Sequence, residues 1–339
     1  MDNKRKEKLI KLYNENTDAA SKYYSIANFV GSLKSDYEKY IKDLPEEEAV
    51  RSWINILDFQ HNLVYLGVIE SLRNNDYRYL DNALYTYVNI GMIKNLGVQS
   101  SYDHCISGWN LVPAVLTSNR FKEIEKIYPR EIGLSKNGMS FLVAATNLIM
   151  YIYYREDSWR EQVAAGTEKY LSKKDSLESK SIISALYALM NKDFEEFSAQ
   201  LSGICKGRKK TKLYGENSFT KEFSFYALGL YNFANFLYPD EIKKVTLPDD
   251  ENFFTDYHKH QKENNFKAGT QLVVFEEPLA LLNDILNTQA PPVSLIKTGR
   301  TREIDCKKHN EEIIKTITQK KVRAQMTVRD LNAVIERKM

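Results

Sequence analysis

The segment Ala188-Leu-Met-Asn-Lys-Asp-Phe194-Glu-Glu-Phe197 has the pattern of a turn between two antiparallel helices. An apolar helix end comes first, then a short polar turn, then an aromatic residue followed by an apolar residue three positions later. Asn and Asp favour such turns because their side chains bond to nearby backbone groups. The three-residue step places Phe194 and Phe197 on one face of the second helix. The segment therefore predicts an α-hairpin.

Similar segments occur upstream. They are Ser71-Leu-Arg-Asn-Asn-Asp-Tyr77-Arg-Tyr-Leu80, Val115-Leu-Thr-Ser-Asn-Arg-Phe121-Lys-Glu-Ile124 and a poorer copy, Tyr154-Arg-Glu-Asp-Ser-Trp159. The aromatic residues are 44, 38 and 35 positions apart, which is the range of two-helix repeats. The period drifts and no consensus repeat motif matches. We therefore predict an all-α fold, an irregular stack of antiparallel α-hairpins, with Tyr77, Phe121, Trp159 and Phe194 largely buried at the second helices. A plain globular helix bundle is the alternative.

The composition agrees with a helical protein that does not cross a membrane. The 339 residues include only 8 Pro and 14 Gly, too few for a turn-rich β fold. The most apolar stretch, Phe141 to Tyr154, is shorter than the roughly 20 residues of a membrane span. The basic N-terminus has no apolar segment after it, so we expect no secretory signal. With three widely spaced cysteines, these features predict a cytoplasmic protein without membrane contact.

Composition divides the chain into three parts: an N-terminal helical segment (1–45), an α-hairpin body (46–289) and a basic C-terminal appendage (290–339). The appendage carries twelve Lys/Arg and six Asp/Glu, which leaves 36 basic and 39 acidic residues for the rest. Residues 294–306 are polar and predict a loop. Helical spacing follows, in Ile313, Ile314, Ile317, Leu331, Val334 and Ile335. We expect these apolar faces to dock on the mildly acidic body; the alternative is that the appendage orders only against a partner.

The sequence has no motif typical of catalysis or of cofactor binding. It lacks a Gly-rich phosphate loop, a Gly-x-Ser-x-Gly elbow and a His-Glu-x-x-His pair. His258 and His260 lie two positions apart, so on a helix they point about 200° apart and cannot share a metal ion. Adjacent Asp103, His104 and Cys105 diverge on any regular element, which favours a structural histidine. We expect no enzyme activity, no cofactor and no metal site.

The densest basic cluster is Lys206-Gly-Arg208-Lys209-Lys210-Thr-Lys212. Nucleic-acid binding usually needs a basic domain with stacking aromatics, whereas this body is net acidic. We therefore predict a solvated loop and no nucleic-acid partner. Arg208, Lys209 and Lys210 are the candidate partner-binding residues.

Two longer stretches carry a family resemblance. They are Ala185-Leu-Tyr-Ala-Leu-Met-Asn-Lys-Asp193-Phe194-Glu-Glu-Phe197 and Tyr226-Ala-Leu-Gly-Leu230-Tyr-Asn-Phe-Ala234, with Leu247-Pro248 after them and Trp109, Ala114 and Arg120 upstream. From about residue 50 to 285, the chain resembles the immunity protein 49 family of bacterial polymorphic toxin systems. The resemblance implies an all-α immunity protein (an antitoxin of interbacterial competition) that neutralises a cognate toxin by direct protein–protein binding. It supplies no catalytic residues and no contact positions.

The alternative function is a generic helical-repeat scaffold or a peptide-sensing regulator. A peptide-sensing transcription regulator usually carries a helix-turn-helix at its N-terminus. Residues 5–40 show no clear pair of short helices joined by a tight Gly turn. This observation favours the immunity protein over the regulator.

Overall fold

The computed structural model describes residues 1–15, 23–57, 60–94, 104–211, 217–298 and 301–319, and most of them are helical. The first helices are α1 (Asn3–Glu15), α2 (Ile26–Tyr40), α3 (Glu46–Ile56), α4 (Gln60–Asn74), α5 (Arg78–Lys94), α6 (His104–Trp109), α7 (Val112–Thr117) and α8 (Ile124–Ile127). The others are α9 (Ser140–Tyr154), α10 (Arg160–Leu171), α11 (Leu177–Asn191), α12 (Phe194–Lys210), α13 (Phe225–Leu237), α14 (Thr255–Glu263), α15 (Leu281–Leu286) and α16 (306–319). The predicted all-α class is confirmed.

The four hairpin turns found in the sequence share a left-handed residue at the end of the first helix. It is Asn75, Asn119, Arg155 or Lys192, with φ of 51°, 61°, 51° and 57°. In three turns, the N–H of the next residue donates to the carbonyl five positions back, at 2.9 to 3.1 Å; the pairs are Asp76–Ser71, Arg120–Val115 and Asp193–Ala188. This is the Schellman arrangement, which satisfies carbonyls left open at a helix end. The weak sequence repeat therefore reflects one recurring helix stop.

Each repeat aromatic lies at the start of the next helical segment, as predicted. Phe194 opens α12, Phe121 opens a 3₁₀ turn before α8, and Tyr77 and Trp159 directly precede α5 and α10. Phe121 and Phe194 are buried, whereas Tyr77 and Trp159 are only partly buried. The predicted position is confirmed for all four, and the predicted burial for two.

The hairpins form an irregular stack. α4–α5, α9–α10 and α11–α12 are antiparallel hairpins, α9 also packs on α11, and α5 packs on α7. The repeat at Phe121 is truncated because α8 ends at Ile127, just before Pro129; the residue before a proline disfavours helix. α13 fills this position by packing across α7 from far along the chain. The predicted stack is therefore confirmed, with one hairpin completed by a distant helix.

The C-terminal appendage contains an element that the sequence did not reveal. Strands β1 (Leu295–Thr298) and β2 (Thr301–Ile304) pair antiparallel, with Leu295 opposite Ile304. The prediction of a loop over residues 294–306 is wrong for these two strands, whose β-branched residues Ile296, Thr301 and Ile304 suit extended backbone. Residues 299 and 300 lie outside the described residues. Nη1 of Arg302 donates to the carbonyl of Glu131 at 2.9 Å, which ties β2 to the body.

The following helix, α16, docks on the body as predicted. Its apolar residues Ile313, Ile314 and Ile317 are buried in the same core as the hairpins, and His309 is fully buried beside them. Leu331, Val334 and Ile335 lie outside the described residues. No helix within the described ranges combines the length and apolar character that crossing a bilayer requires.

Candidate functional site

A cavity of about 720 Å³ lies between the α4–α5 and α11–α12 hairpins, and α6, α7, α9 and α13 also contribute to its walls. Pockets for small ligands or inserted groups usually measure roughly 300–1,000 Å³. Most of the lining side chains are apolar or aromatic. The cavity therefore has the size and character of a binding site.

One wall of the cavity is a cluster of aromatic rings. Trp109 stacks on Tyr226 with ring centroids 5.7 Å apart, and Phe141 lies edge-on to Trp109 at 5.1 Å. Burial raises the pKa of Tyr226, and the Glu178 carboxylate raises it further. The phenol is therefore protonated at neutral pH. One stacked contact and one edge-on contact hold the Trp109 ring in place, so the wall is preorganised for a ligand.

A charged pair also lines the cavity. A guanidinium nitrogen of Arg208 lies 3.8 Å from a carboxylate oxygen of Glu178, and both side chains are buried. Arg208 also donates to the Thr220 carbonyl oxygen at 3.3 Å and to the Tyr65 hydroxyl at 3.5 Å. Charge-assisted hydrogen bonds are usually roughly 2.7–2.9 Å long, so the Arg208–Glu178 distance is that of an ion pair without a short hydrogen bond. It fixes a donor and an acceptor side by side in an apolar wall.

The pair exists because two helix ends approach closely. A Cβ atom at Gly207 would lie 2.4 Å from the backbone nitrogen of Glu178 and 2.6 Å from its Cα. Ser176 caps α11 by accepting from the Ser179 N–H at 3.1 Å. Glu178 thus lies in the first turn of α11 and Arg208 in the last turn of α12, where each charge is favoured by its own helix dipole.

The rim of the cavity is both charged and apolar. Exposed Lys210 and Asp175 line it, and Asp175 accepts a hydrogen bond from the Tyr170 hydroxyl at 2.7 Å. Met139, which also lines the cavity, is 57% exposed, and Leu177, between the lining residues Ser176 and Glu178, is 45% exposed. Two acidic and two basic side chains therefore balance around a largely apolar space.

The structure separates the three candidate partner-binding residues. Arg208 lies in the cavity wall and Lys210 on the rim, whereas Lys209 points away and pairs with Asp250 at 3.0 Å. The prediction of a loop is wrong for Lys206–Lys210, since α12 continues to Lys210, although the three lysines of this range are exposed as predicted. Lys212 lies outside the described residues. Basic residues stabilise the last turn of a helix through its dipole, so their density marks a helix end here.

Sequence reasoning missed Glu178, Tyr65 and Phe141 because no local pattern connects them with Arg208. One signal was present in the stretches that carry the family resemblance. Trp109 and Tyr226 come from separate stretches and stack on each other in the cavity. The third upstream residue, Arg120, lies elsewhere: it donates to Asn89 Oδ1 at 2.6 Å and lines a second cavity of about 440 Å³.

The described residues of the histidine and cysteine motifs make separate contacts. The His258 ring lies 4.8 Å from that of Tyr231, whereas Nε2 of His260 contacts Asp81 at 2.7 Å. His104 lies edge-on to Tyr128, and Asp103 is outside the described residues. In the described ranges, no group of three or more His, Cys, Asp or Glu side chains has a metal-binding arrangement.

No family model, curated protein or solved structure matches this chain.

Proposed function

We propose that the protein is an immunity protein that neutralises a cognate toxin by direct binding. The observation that carries this proposal is the combination of Trp109, Tyr226 and Arg208 in one preformed cavity. Trp, Tyr and Arg are the residue types that dominate binding energy at protein interfaces, above all in desolvated pockets. The family resemblance of the sequence supplies the class of partner.

The cavity suits tight inhibition because its anchors are already ordered. The rings of Trp109, Tyr226 and Phe141 contact one another, so binding freezes few additional rotamers. The charged rim residues Lys210 and Asp175 orient the partner and raise its association rate more than they increase the affinity. Binding that covers a toxin's active site needs no chemistry from the immunity protein.

Co-expression with the toxin encoded next to the gene tests the proposal. The wild-type protein should restore growth and bind that toxin with a dissociation constant of nanomolar order, about −12 kcal/mol. Trp109→Ala should weaken binding by about 30-fold or more, since hot-spot truncations cost roughly 2 kcal/mol or more. Trp159→Ala, outside the cavity and partly buried, is the control and should retain neutralisation. A toxin that stays fully active at equimolar protein contradicts the proposal.

A peptide-sensing regulator or scaffold is the second candidate, because the same cavity has room for a short peptide. It predicts saturable peptide binding without protection against any neighbouring toxin. The growth assay therefore separates the two functions.

A further inference from the structure

We propose that the cavity receives a short apolar stretch of a partner polypeptide, two or three residues with at least one aromatic side chain and no net charge. The partner's identity as a toxin rests on the proposed function. The class of occupant follows from the size, charge and rim of the cavity itself.

The size and lining point to more than one apolar side chain. The cavity measures about 720 Å³, more than a single side chain fills, and most of its lining side chains are apolar or aromatic. Trp109 and Phe141 meet edge-on, and a further ring inserted beside them gains the same offset or edge-on contacts. An aromatic residue with an apolar neighbour therefore fits the space.

The charges select a neutral occupant. Glu178 and Asp175 face the cavity with Arg208 and Lys210, so an additional charge of either sign meets a like charge as well as an opposite one. Burying a charge without a matched partner is costly. A residue in extended conformation instead presents its own N–H donor and C=O acceptor on the same side of the chain, which match the carboxylate and guanidinium held 3.8 Å apart.

The rim distinguishes a polypeptide from a small molecule. Met139, which lines the cavity, and Leu177, which lies between two lining residues in the chain, expose 57% and 45% of their surface. A small molecule enclosed in the cavity can contact Met139 but leaves Leu177 in water. A chain that enters the cavity and continues over the rim covers both, as the ring of apolar contacts around an interface anchor does.

Fluorine NMR of the full chain labelled with fluorotryptophan tests the class of occupant directly. The probe is N-acetyl-Phe-Leu-amide, and its charged match is N-acetyl-Phe-Asp-amide. The Trp109 resonance should shift saturably with the first probe and at least about tenfold more weakly with the second. The resonances of Trp53 and Trp159, which lie in α3 and before α10, should stay in place.

A cavity-filling variant supplies the matched control. Ala114 is buried in α7 and lines the cavity, so Ala114→Phe adds a ring to open space and should weaken probe binding at least about tenfold. Val274→Phe, at a position 80% exposed, should leave binding unchanged. If Ala114→Phe lowers the melting temperature, Ser179→Phe narrows the same cavity from the partly exposed part of its wall.

In the NMR titration, any one of three results overturns the inference: no saturable Trp109 shift with the neutral dipeptide, an equal shift with that dipeptide in both cavity-filling variants, or a shift with indole alone. The last result would assign the cavity to a small aromatic molecule. In the growth assay, unimpaired neutralisation by both filling variants also refutes the inference while preserving the proposed function. Dipeptide binding without neutralisation refutes the proposed function and leaves the inference standing.

Discussion

Replacing Gly207 with alanine tests the close approach of α11 and α12 that builds the cavity wall. The added methyl group would lie 2.4 Å from the Glu178 nitrogen and 2.6 Å from its Cα. These are backbone atoms, so the strain cannot be relieved by a side-chain rotation and the helix ends must separate. Overpacking of this kind usually costs about 1–3 kcal/mol, and the higher helix propensity of alanine returns up to about 1 kcal/mol. The expected net loss of unfolding free energy is about 1–2 kcal/mol.

Two other glycines provide matched controls. Alanine at Gly203, in the same helix, would meet the Ser181 hydroxyl at 2.4 Å, and that small side chain can rotate away, so stability should change by less than about 1 kcal/mol. Alanine at Gly166 meets nothing within 4 Å and should stabilise the protein by about 0.5–1 kcal/mol. Urea denaturation followed by circular dichroism measures all three.

The expected order of stability is Gly166→Ala, then wild type and Gly203→Ala, then Gly207→Ala. Separation of the helix ends would also move Glu178 away from Arg208, so Gly207→Ala should weaken dipeptide binding to the cavity. A Gly207→Ala protein as stable as wild type would refute the close approach, and with it the reason given for the charged pair.

Three further predictions concern the core, the tail and pH. Phe194→Ala should lower the unfolding free energy by about 3–5 kcal/mol and Phe236→Ala, at a 49% exposed ring, by much less; equal urea midpoints would contradict the repeat packing. Amide exchange should be slow at residues 313–317, because the buried isoleucines dock α16, and uniformly fast exchange would rule out docking. Burial first, and then Lys262, lowers the pKa of His258 to about 4, so the folded state prefers the neutral ring. The neutral His258 ring should contribute its full stabilisation of the folded state above the unfolded pKa of about 6.5. As the pH falls towards 4, the free energy of unfolding should decrease by an amount on the order of 2 kcal/mol. His258→Gln should flatten that slope, and an unchanged slope would show that other groups control it.

The hairpins were predictable because their signal is local. A left-handed residue such as Asn75 or Lys192, the last turn of the helix that it ends and the aromatic after it all lie within about ten residues. The same local reading failed where burial depends on distant partners. The basic cluster before Lys212 has the sequence pattern of a solvated loop, but in the structure Arg208 is buried against Glu178 and Thr220, which lie far from it in sequence. The β1–β2 pair escaped notice because strands of four residues leave little periodicity to detect.

The cavity itself depends on contacts that sequence spacing cannot supply, and its charged pair argues for a role beyond folding. Burying Arg208 and Glu178 removes two charges from water, a cost that their partners in the wall must offset. Apolar side chains at both positions would fill the wall between α11 and α12 at lower cost. A buried ion pair is therefore weak evidence for stability, and its position in the wall of an apolar cavity agrees with the proposed recognition of an occupant.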